Sequence, residues 1–298
     1  MRISEMELVS PSNVSECLEL IADTDRNYRL LAGGTDSVVR MKDGQWRPAT
    51  WINICHMSSL RYIREADDGI HIGPLSTYTD IITSSLMQKK AAVLVQAARL
   101  VGAEQIQNMG TIGGNIANAS PAGDTIPPLY VLGAVIHLQS AKGSRQIPIE
   151  DFFTGPGKTV MKKDEMITNI VIQPQRANEI GIFEKLGPRK AQSISIVNMA
   201  CLLKMGETPR QCVSGKIAFG AVAPTVIFAK KGASMLNLAP LDEDLIQNVA
   251  KVVWKEVMPI SDVRASAEYR RDMASALLER GLYRLMERWD RDHDINTR

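Results

Sequence analysis

A short run that ends in two adjacent glycines, Leu30-Leu31-Ala32-Gly33-Gly34-Thr35-Asp36, most constrains how this chain folds. The apolar residues leading into it predict a strand over residues 29–32, followed by a tight loop. Glycine has no Cβ, so consecutive backbone N–H groups can approach an anion closely and form a nest for phosphate. An ordinary turn is the commoner reason for a Gly-Gly pair, so this segment alone leaves both interpretations open.

A second segment of the same character, Gly110-Thr111-Ile112-Gly113-Gly114-Asn115, lies later in the chain. Its threonine hydroxyl and asparagine amide are hydrogen-bond donors next to the glycines. Two such loops can clamp the two phosphates of one pyrophosphate. Neither fits the G-x-G-x-x-G pattern of the Rossmann fold, so the pair indicates a dinucleotide site on a different fold.

Other catalytic motifs are missing from the sequence. Gly157-Lys158-Thr159 ends like a Walker A loop, but Phe152 stands where that loop needs a glycine. No G-x-S-x-G or H-E-x-x-H segment occurs. The histidines are scattered and none of the four cysteines forms a C-x-x-C pair, so we expect neither a metal site nor an iron–sulfur cluster in this chain. The cysteines are Cys17, Cys55, Cys201 and Cys212.

Composition excludes two further classes of protein. A net charge of +2 without a basic block gives no indication of nucleic-acid binding. No apolar run reaches the length of about 18 residues that a membrane helix needs. The first ten residues include two acidic ones and lack the apolar core of a secretory signal, so we expect a cytoplasmic protein.

The order of predicted elements indicates an α+β protein with two domains. Residues 1–175 form the first domain, with a subdomain split near residue 55, residues 176–290 the second, and residues 291–298 a polar tail. The pattern predicts a glycine-rich loop over residues 102–124. Predicted strands cover residues 50–54, 60–64, 69–73, 134–139, 146–149, 180–186, 193–204 and 216–222, and predicted helices cover residues 76–82, 88–101, 242–257 and 265–289.

Five segments resemble the flavoprotein subunits of molybdenum hydroxylases, in order, from about residue 28 to residue 271. They are L-L-A-G-G-T-D; N-M-G-T-I-G-G-N with the following N-A-S-P-A-G-D; F-F-T-G-P-G-K-T; K-I-A-F-G-A-V-A-P-T; and R-A-S-A-E-Y-R-R. Thr35-Asp36 after the first glycine pair is more similar to the xanthine dehydrogenase branch than to the carbon monoxide dehydrogenase branch, where a His-Ser pair occurs.

The resemblance implies a two-subdomain FAD-binding domain of the vanillyl-alcohol oxidase-like (PCMH) type. A small α+β C-terminal domain, a three-stranded sheet plus helices, follows it. The implied cofactor is FAD, and the implied partners are a molybdopterin-binding large subunit and a [2Fe-2S] small subunit. Electrons from a substrate such as xanthine or another purine would pass through the clusters to FAD here and then to NAD⁺. No side chain of this chain would act as a catalytic acid or base.

The resemblance also assigns individual residues to FAD. The first loop would wrap the pyrophosphate, and the second would close on it from the other side. Asp124 would accept a hydrogen bond from FAD on the adenosine side, or else cap the next helix. Lys185 would stabilise the reduced flavin ring, or else lie on a strand surface; Met166 and Phe183 would line the flavin, or else belong to the core. The two loops comprise Arg29, Leu30, Leu31, Ala32, Gly33, Gly34, Thr35 and Asp36, and Thr111, Ile112, Gly113, Gly114 and Asn115.

Two rival functions remain open at this point. One is a free-standing FAD-dependent oxidoreductase acting directly on an alcohol, which would need a large substrate domain over the flavin. The other is a non-catalytic assembly or nucleotide-sensing module that keeps the fold and loses FAD.

Overall fold

A computed structural model describes residues 6–47, 49–208 and 210–293. The predicted polar tail falls mostly on residues 294–298, which lie outside the described residues. The helices are α1 (Val14–Ala22), α2 (Ser37–Lys42), α3 (Tyr78–Thr83), α4 (Ser85–Lys90), α5 (Ala92–Arg99), α6 (Glu104–Met109), α7 (Ile112–Asn118), α8 (Ile126–Val131), α9 (Lys230–Met235), α10 (Glu243–Glu256) and α11 (Ala267–Asp292). The strands are β1 (Glu7–Val9), β2 (Tyr28–Leu31), β3 (Thr50–Asn53), β4 (Ile63–Ala66), β5 (Gly69–Ile72), β6 (Val135–Ser140), β7 (Gly143–Pro148), β8 (Phe153–Gly155), β9 (Lys158–Thr159), β10 (Met166–Ile172), β11 (Glu179–Leu186), β12 (Val197–Met205), β13 (Gln211–Gly220), β14 (Ile227–Phe228) and β15 (Ala239–Pro240).

The N-terminal part is a small parallel sheet in the order β1-β3-β2. Helix α1 begins where the Asn13 side chain accepts a hydrogen bond from the Glu16 backbone N–H at 3.0 Å. One face of α1 is buried through Cys17, Leu18 and Ile21. This face packs against the sheet. Because β2 is an edge strand, the loop after it emerges at the edge of the sheet.

A second, antiparallel sheet has the order β4-β5-β10-β6-β7. Alternate residues of its strands, among them Ile70, Ile136 and Ile170, are fully buried on one face. Helices α3, α4, α5, α7 and α8 supply the other side of this core, including Leu94, Ile112 and Leu129.

The third sheet is built on the long antiparallel strands β11, β12 and β13, and the two-residue strands β14 and β15 both pair with β13. One face packs against α9, α10 and α11 through residues such as Met199, Phe219 and Leu278. The other face joins the core of the second sheet through Phe183 and Ala200. The third sheet therefore closes over the preceding part of the chain, and a cavity of about 1070 Å³ lies at the resulting seam.

The helix predicted over residues 88–101 is wrong, because the chain forms two helices that meet at Ala91. Ala91 has a non-helical backbone (φ −148°, ψ 42°). Gln175 explains the break: its N–H donates to Lys90 O at 2.7 Å, and its side-chain oxygen accepts from Val93 N–H at 3.2 Å. These tertiary bonds satisfy backbone groups that a continuous helix would have paired internally.

Several other element predictions need correction. The segment over residues 102–124 was predicted to be a loop, but it contains the helices α6 and α7. Thr111 caps the second of these helices. The predicted three-stranded sheet gains two short strands. The helix predicted over residues 76–82 begins only at Tyr78, with Thr77 as its cap, and α11 continues through Asp292, into the segment expected to be a tail. The domain boundaries near residues 55 and 175 stay predictions.

Candidate cofactor-binding site

The first glycine loop lies directly against the end of α6. A Cβ placed on Gly33 would come within 1.7 Å of the Met109 carbonyl oxygen, so only glycine fits there. Gly34 has a φ of +74°, in the left-handed region that other residues rarely adopt. The Gly-Gly pair is therefore required by two different constraints, close packing at the first position and backbone conformation at the second.

The second glycine segment is the first turn of α7. Thr111 is its N-cap, and its Oγ1 accepts a hydrogen bond from Gly114 N–H at 3.1 Å. Gly113 faces away from the loop of Gly33, because a Cβ on it would lie 2.5 Å from Pro74 Cβ. Gly114 and Asn115 face the same space as Gly34 and Thr35.

This space is one elongated groove made of two adjoining chambers. The smaller chamber has a volume of about 390 Å³ and the larger about 1070 Å³. Volumes of this order are typical of sites for cofactor-sized ligands. Thr35, Asp36, Tyr78, Asn115 and Asn118 line both chambers and mark their junction. Both glycine segments thus reach the middle of the groove.

The smaller chamber ends at Trp46, which contacts two arginines. The guanidinium carbon of Arg29 lies 4.0 Å from a Trp46 ring centroid, and that of Arg40 lies 4.7 Å away. Burial, and then the positive charge of Arg40, lower the pKa of Arg29. An anion bound here would relieve this repulsion.

One wall of the smaller chamber is fixed by an ion pair between the buried Glu165 and the partly exposed Arg145. Glu165 accepts hydrogen bonds from Arg145 Nε at 2.7 Å and Arg145 Nη2 at 2.8 Å. It also accepts from the Lys162 backbone N–H at 2.7 Å. The hydrogen bonds from Arg145 hold the pKa of Glu165 below its ordinary value despite its burial, with a smaller contribution from the Lys162 N–H.

The larger chamber lies at the seam with the third sheet, and Asp124 lines it. The Asp124 carboxylate is held by three donors from that sheet and the loop before β12. Oδ2 accepts from Lys185 Nζ at 2.5 Å, and Oδ1 accepts from Ser195 Oγ at 2.6 Å and from Asn198 Nδ2 at 2.8 Å. Lys185 Nζ also donates to Leu100 O at 3.0 Å. This network joins the two parts of the chain across the seam.

The outer wall of the larger chamber is anchored by Arg270. This arginine is 3% exposed, and its Nη1 donates to the carbonyls of Ala221 at 2.9 Å and Ile196 at 3.3 Å. Its Nη2 donates to Asp262 at 2.6 Å. The chain around Asp262 is thereby tied to the third sheet. Ile194 and Ile260, both exposed, lie at the rim of the same chamber.

Most of the residues predicted to bind the cofactor do line the groove. They are Arg29, Leu30, Ala32, Gly33, Gly34, Thr35, Asp36, Thr111, Gly114, Asn115 and Asp124. The structure does not bring six others to the groove wall: Leu31, Ile112, Gly113, Met166, Phe183 and Lys185.

For four of the six exceptions, the reason is that their side chains pack elsewhere. Ile112 and Phe183 belong to the core between the second and third sheets, and Met166 belongs to the core beneath α1. Lys185 lies behind Asp124, and its side chain is 7% exposed, so it is not the surface lysine that we considered as an alternative. Asp124 is not a helix cap either, since α8 begins at Ile126, and its N-cap residue is Thr125, which makes no side-chain capping hydrogen bond.

The contact between Asp124 and Lys185 conflicts with the positions predicted for them. The resemblance placed Asp124 on the adenosine side of FAD and Lys185 beside the flavin ring. Two side chains in direct contact cannot reach opposite ends of an extended dinucleotide, so at most one of these positions holds.

Among the groove-lining residues that sequence reasoning missed are Arg40, Trp46, Tyr78 and Asn118. Tyr78 lies where the groove passes α3, and a Cβ on Gly110 would come within 2.6 Å of its ring. Asn118 follows the second glycine pair by one helical turn, so helical spacing would have pointed to it. No signal in the sequence indicated Arg40 or Trp46.

Within the described residues, no group of three or more histidine, cysteine or acidic side chains is placed so that it could hold a metal ion. None of the described helices combines the length and apolar character needed to cross a membrane.

Comparison with known protein families gives matches to both halves of the chain. Residues 4–175 match the family described as the FAD binding domain in molybdopterin dehydrogenase. Residues 183–285 match the C-terminal domain of the CO dehydrogenase flavoprotein.

Individual relatives are similar over nearly their whole length. The glyceraldehyde dehydrogenase medium chain of Sulfolobus acidocaldarius is 32% identical, over 92% of this chain and 95% of its own. The xanthine dehydrogenase FAD-binding subunit of Escherichia coli O157:H7 is also 32% identical, over 87% of this chain and 88% of its own. The nicotinate dehydrogenase FAD-subunit of Eubacterium barkeri is 29% identical, over 93% and 95%.

The fold matches solved structures equally well. A carbon monoxide dehydrogenase chain from Hydrogenophaga pseudoflava superposes with a TM-score of 0.91 at 27% identity, covering 97% of this chain and 99% of the other. The groove, both family matches and the extent of these similarities agree on one assignment. This chain belongs to the molybdenum hydroxylase family of oxidoreductases, as an FAD-binding subunit.

Proposed function

We propose that FAD lies along the groove with its pyrophosphate at the junction of the two chambers. The observation that carries this proposal is the contact of Gly33 with the Met109 carbonyl, because it brings the two glycine segments together at one point. Their residues Thr35 and Asn115 line both chambers there. Backbone N–H groups and small polar side chains at such a point suit a pyrophosphate.

The chemistry of the chambers supports one direction for FAD. The smaller chamber holds the cationic and aromatic cluster of Arg29, Arg40 and Trp46, which suits an adenosine and its adjoining phosphate. The larger chamber, with apolar side chains such as Val101 and Ile106, has the volume for the isoalloxazine ring. We therefore place Asp124 and Lys185 on the flavin side.

Two polar groups at the junction fit a ligand rich in hydroxyls. Asn118 Oδ1 is buried and has no hydrogen-bond partner among the described residues, although Asn118 lines both chambers. A buried polar atom of this kind is costly unless a ligand or water satisfies it. Asp36 also lines the junction; its carboxylate would repel a phosphate but can accept a hydrogen bond from a ribose or ribityl hydroxyl.

The chain's own residues would hold and shield FAD rather than act as acid or base. Ser195 and Asn198 orient the Asp124 carboxylate, and Lys185 balances its charge. Because Lys185 is already paired, it would present a neutral pair to the flavin, not the lone cation that the resemblance implied. When bound, FAD supplies a centre that exchanges single electrons with clusters and electron pairs with a nicotinamide.

At the level of the complex, we propose that the chain works with a molybdopterin-binding large subunit and a [2Fe-2S] small subunit in the cytoplasm. It would pass electrons from their clusters through FAD to NAD⁺, with xanthine or another purine as the substrate of the large subunit. The similarity to the xanthine dehydrogenase FAD-binding subunit of Escherichia coli supports this choice. A substrate site on this chain is not required.

Anaerobic mixing of the FAD-loaded chain with NADH and, separately, with xanthine tests this function. We expect NADH to bleach the flavin absorbance and xanthine to leave it unchanged until the partner subunits are added. Bleaching by xanthine alone would favour a free-standing oxidoreductase. Bleaching by neither would exclude NAD⁺ as the acceptor, and failure of the chain to retain FAD would favour the non-catalytic module.

A further inference from the structure

The glycine pair of the second segment offers a ligand no free backbone donor, because the N–H groups that begin α7 are already paired. Ile112 and Gly113 donate to carbonyl oxygens of the chain just before α3, at 3.0 Å and 2.9 Å. Gly114 donates to Thr111 Oγ1 at 3.1 Å. The first N–H groups of a helix have no partner within the helix and are often the groups that bind an anion. In α7 they are occupied, so the first turn of this helix has none to donate to a pyrophosphate.

Asn115 is the residue of this segment that lines both chambers of the groove. Its Oδ1 accepts a hydrogen bond from Thr125 Oγ1 at 2.7 Å, and Thr125 is fully buried. The amide nitrogen Nδ2 makes no hydrogen bond within the described residues, and it is not among their buried atoms without a partner, so it stays accessible. Because an amide nitrogen only donates, Asn115 presents donors to a ligand at the junction of the chambers.

The Thr125 hydroxyl is free for this contact because of the two prolines that follow it. Thr125 is the N-cap of α8, where a threonine side chain normally accepts a hydrogen bond from the N–H of the second or third helical residue. In α8 these residues are Pro127 and Pro128, which have no N–H. Thr125 accordingly makes no capping hydrogen bond, and its buried hydroxyl is satisfied by Asn115 Oδ1 instead.

We propose that Thr125 is a positioning residue, which fixes the Asn115 amide so that its Nδ2 donates a hydrogen bond to the pyrophosphate of FAD. This inference rests on the FAD site proposed above. The last torsion of an asparagine side chain has two broad minima, which exchange the oxygen and the nitrogen. Without the Thr125 hydroxyl, nothing within the described residues holds Oδ1 away from the phosphate, where two acceptors repel each other.

Titration of the FAD-free full chain with FAD, and separately with ADP, tests this role. Thr125→Val keeps the shape of the side chain and removes the donor, so it should weaken binding of both ligands about tenfold. Thr125→Ser keeps the hydroxyl and should restore the wild-type affinity. Ser275→Ala is the control, because Ser275 Oγ also joins two helices, donating to Ala250 O at 2.9 Å, and lies outside the groove lining. It should leave the affinity for both ligands unchanged.

A double variant separates positioning from a general loss of structure. If Thr125 acts through Asn115, then Thr125→Val combined with Asn115→Ala should bind FAD as Asn115→Ala does alone. Unchanged affinity of Thr125→Val, failure of Thr125→Ser to restore binding, or losses that add in the double variant would each overturn the proposal.

The two ligands distinguish the pyrophosphate from the rest of FAD. Weaker binding of FAD with unchanged binding of ADP would place the Asn115 amide on the flavin portion, and the proposal would again be wrong. A wild-type chain that binds neither ligand would instead remove the FAD site itself, and the role of Thr125 with it.

Discussion

Lys185 Nζ donates a hydrogen bond to Asp124 Oδ2 at 2.5 Å, and both side chains are less than a tenth exposed. Asp124 precedes α8, whereas Lys185 belongs to β11 of the third sheet. The pair therefore joins two parts of the chain beside the larger chamber of the cofactor groove. Because both groups are buried, each charge of the pair needs the other to keep the folded state stable.

Removing one member of this pair should destabilise the fold. We expect Lys185→Met to lower the free energy of unfolding by about 3–5 kcal/mol, because the Asp124 carboxylate would stay buried without a countercharge. Urea unfolding of the variant and the wild-type chain measures this difference. Lys251→Met, which removes an exposed lysine of α10, is the matched control.

The double variant Asp124→Asn with Lys185→Met separates charge from packing. With no buried carboxylate left, it should lose less stability than the sum of the two single variants. Losses that simply add would mean that the two side chains do not interact energetically, despite their contact.

Motifs flagged Asp124 and Lys185 separately, but their contact could not be predicted from the sequence. The two residues are 61 positions apart, and only the packing of the third sheet over α8 brings them together. A motif assigns a residue to a ligand without fixing which end of the ligand it meets. The positions predicted for Asp124 and Lys185, at opposite ends of FAD, are incompatible with each other for this reason, so at most one of them holds.

Phe183 shows a second feature of the site that could not be predicted from the sequence. Strand alternation correctly puts Phe183 and Lys185 on the same face of β11, the face that meets the rest of the chain. Alternation does not tell how far along that face the groove extends. The seam is already closed by core packing at Phe183, and it opens toward the chamber only near Asp124.

The glycine segments were the most informative part of the sequence, and they give the next prediction. Gly33→Ala should abolish FAD binding, because the new Cβ would overlap the Met109 carbonyl at 1.7 Å and force the two segments apart. Gly34→Ala should cost only about 1 kcal/mol of strain from its positive φ, with FAD bound more weakly. Flavin content after purification and the dissociation constant of FAD measure both effects.

Gly133→Ala is the control for backbone strain alone. Gly133 has a φ of +63°, no atom lies closer than 4.0 Å to a Cβ placed there, and the residue is remote from the cofactor groove. It should lose stability as Gly34→Ala does and keep its affinity for FAD. If Gly33→Ala binds FAD as the wild-type chain does, the pyrophosphate position proposed above is wrong.

The direction of FAD in the groove gives a prediction at Trp46. If the smaller chamber holds the adenosine end, Trp46→Leu should weaken binding of ADP to the FAD-free chain about tenfold, through loss of the aromatic surface and of its two arginine contacts. Binding of riboflavin, which lacks the adenosine, should be unchanged. The opposite pattern, with riboflavin affected and ADP not, would reverse the direction.

Glu165 gives a prediction for the dependence of stability on pH. Its hydrogen bonds from Arg145 lower its pKa in the folded chain relative to the ordinary value of 4.5. The unfolded chain therefore takes up this proton at a higher pH than the folded chain does. The stabilisation is fully present above the ordinary value, and it is lost as the pH falls through the lowered value of the folded state.

Glu165→Gln should therefore be less stable than the wild-type chain near neutral pH, by about 1–2 kcal/mol for a charge-assisted hydrogen-bonded pair. This difference should shrink steadily as the pH falls below the ordinary glutamate value, because the wild-type carboxyl then also becomes neutral. Urea unfolding at a series of pH values, with the exposed Glu287→Gln of α11 as control, measures it. A difference that stays constant with pH would show that the Glu165 charge does not stabilise this wall of the smaller chamber, and that glutamine merely packs less well there.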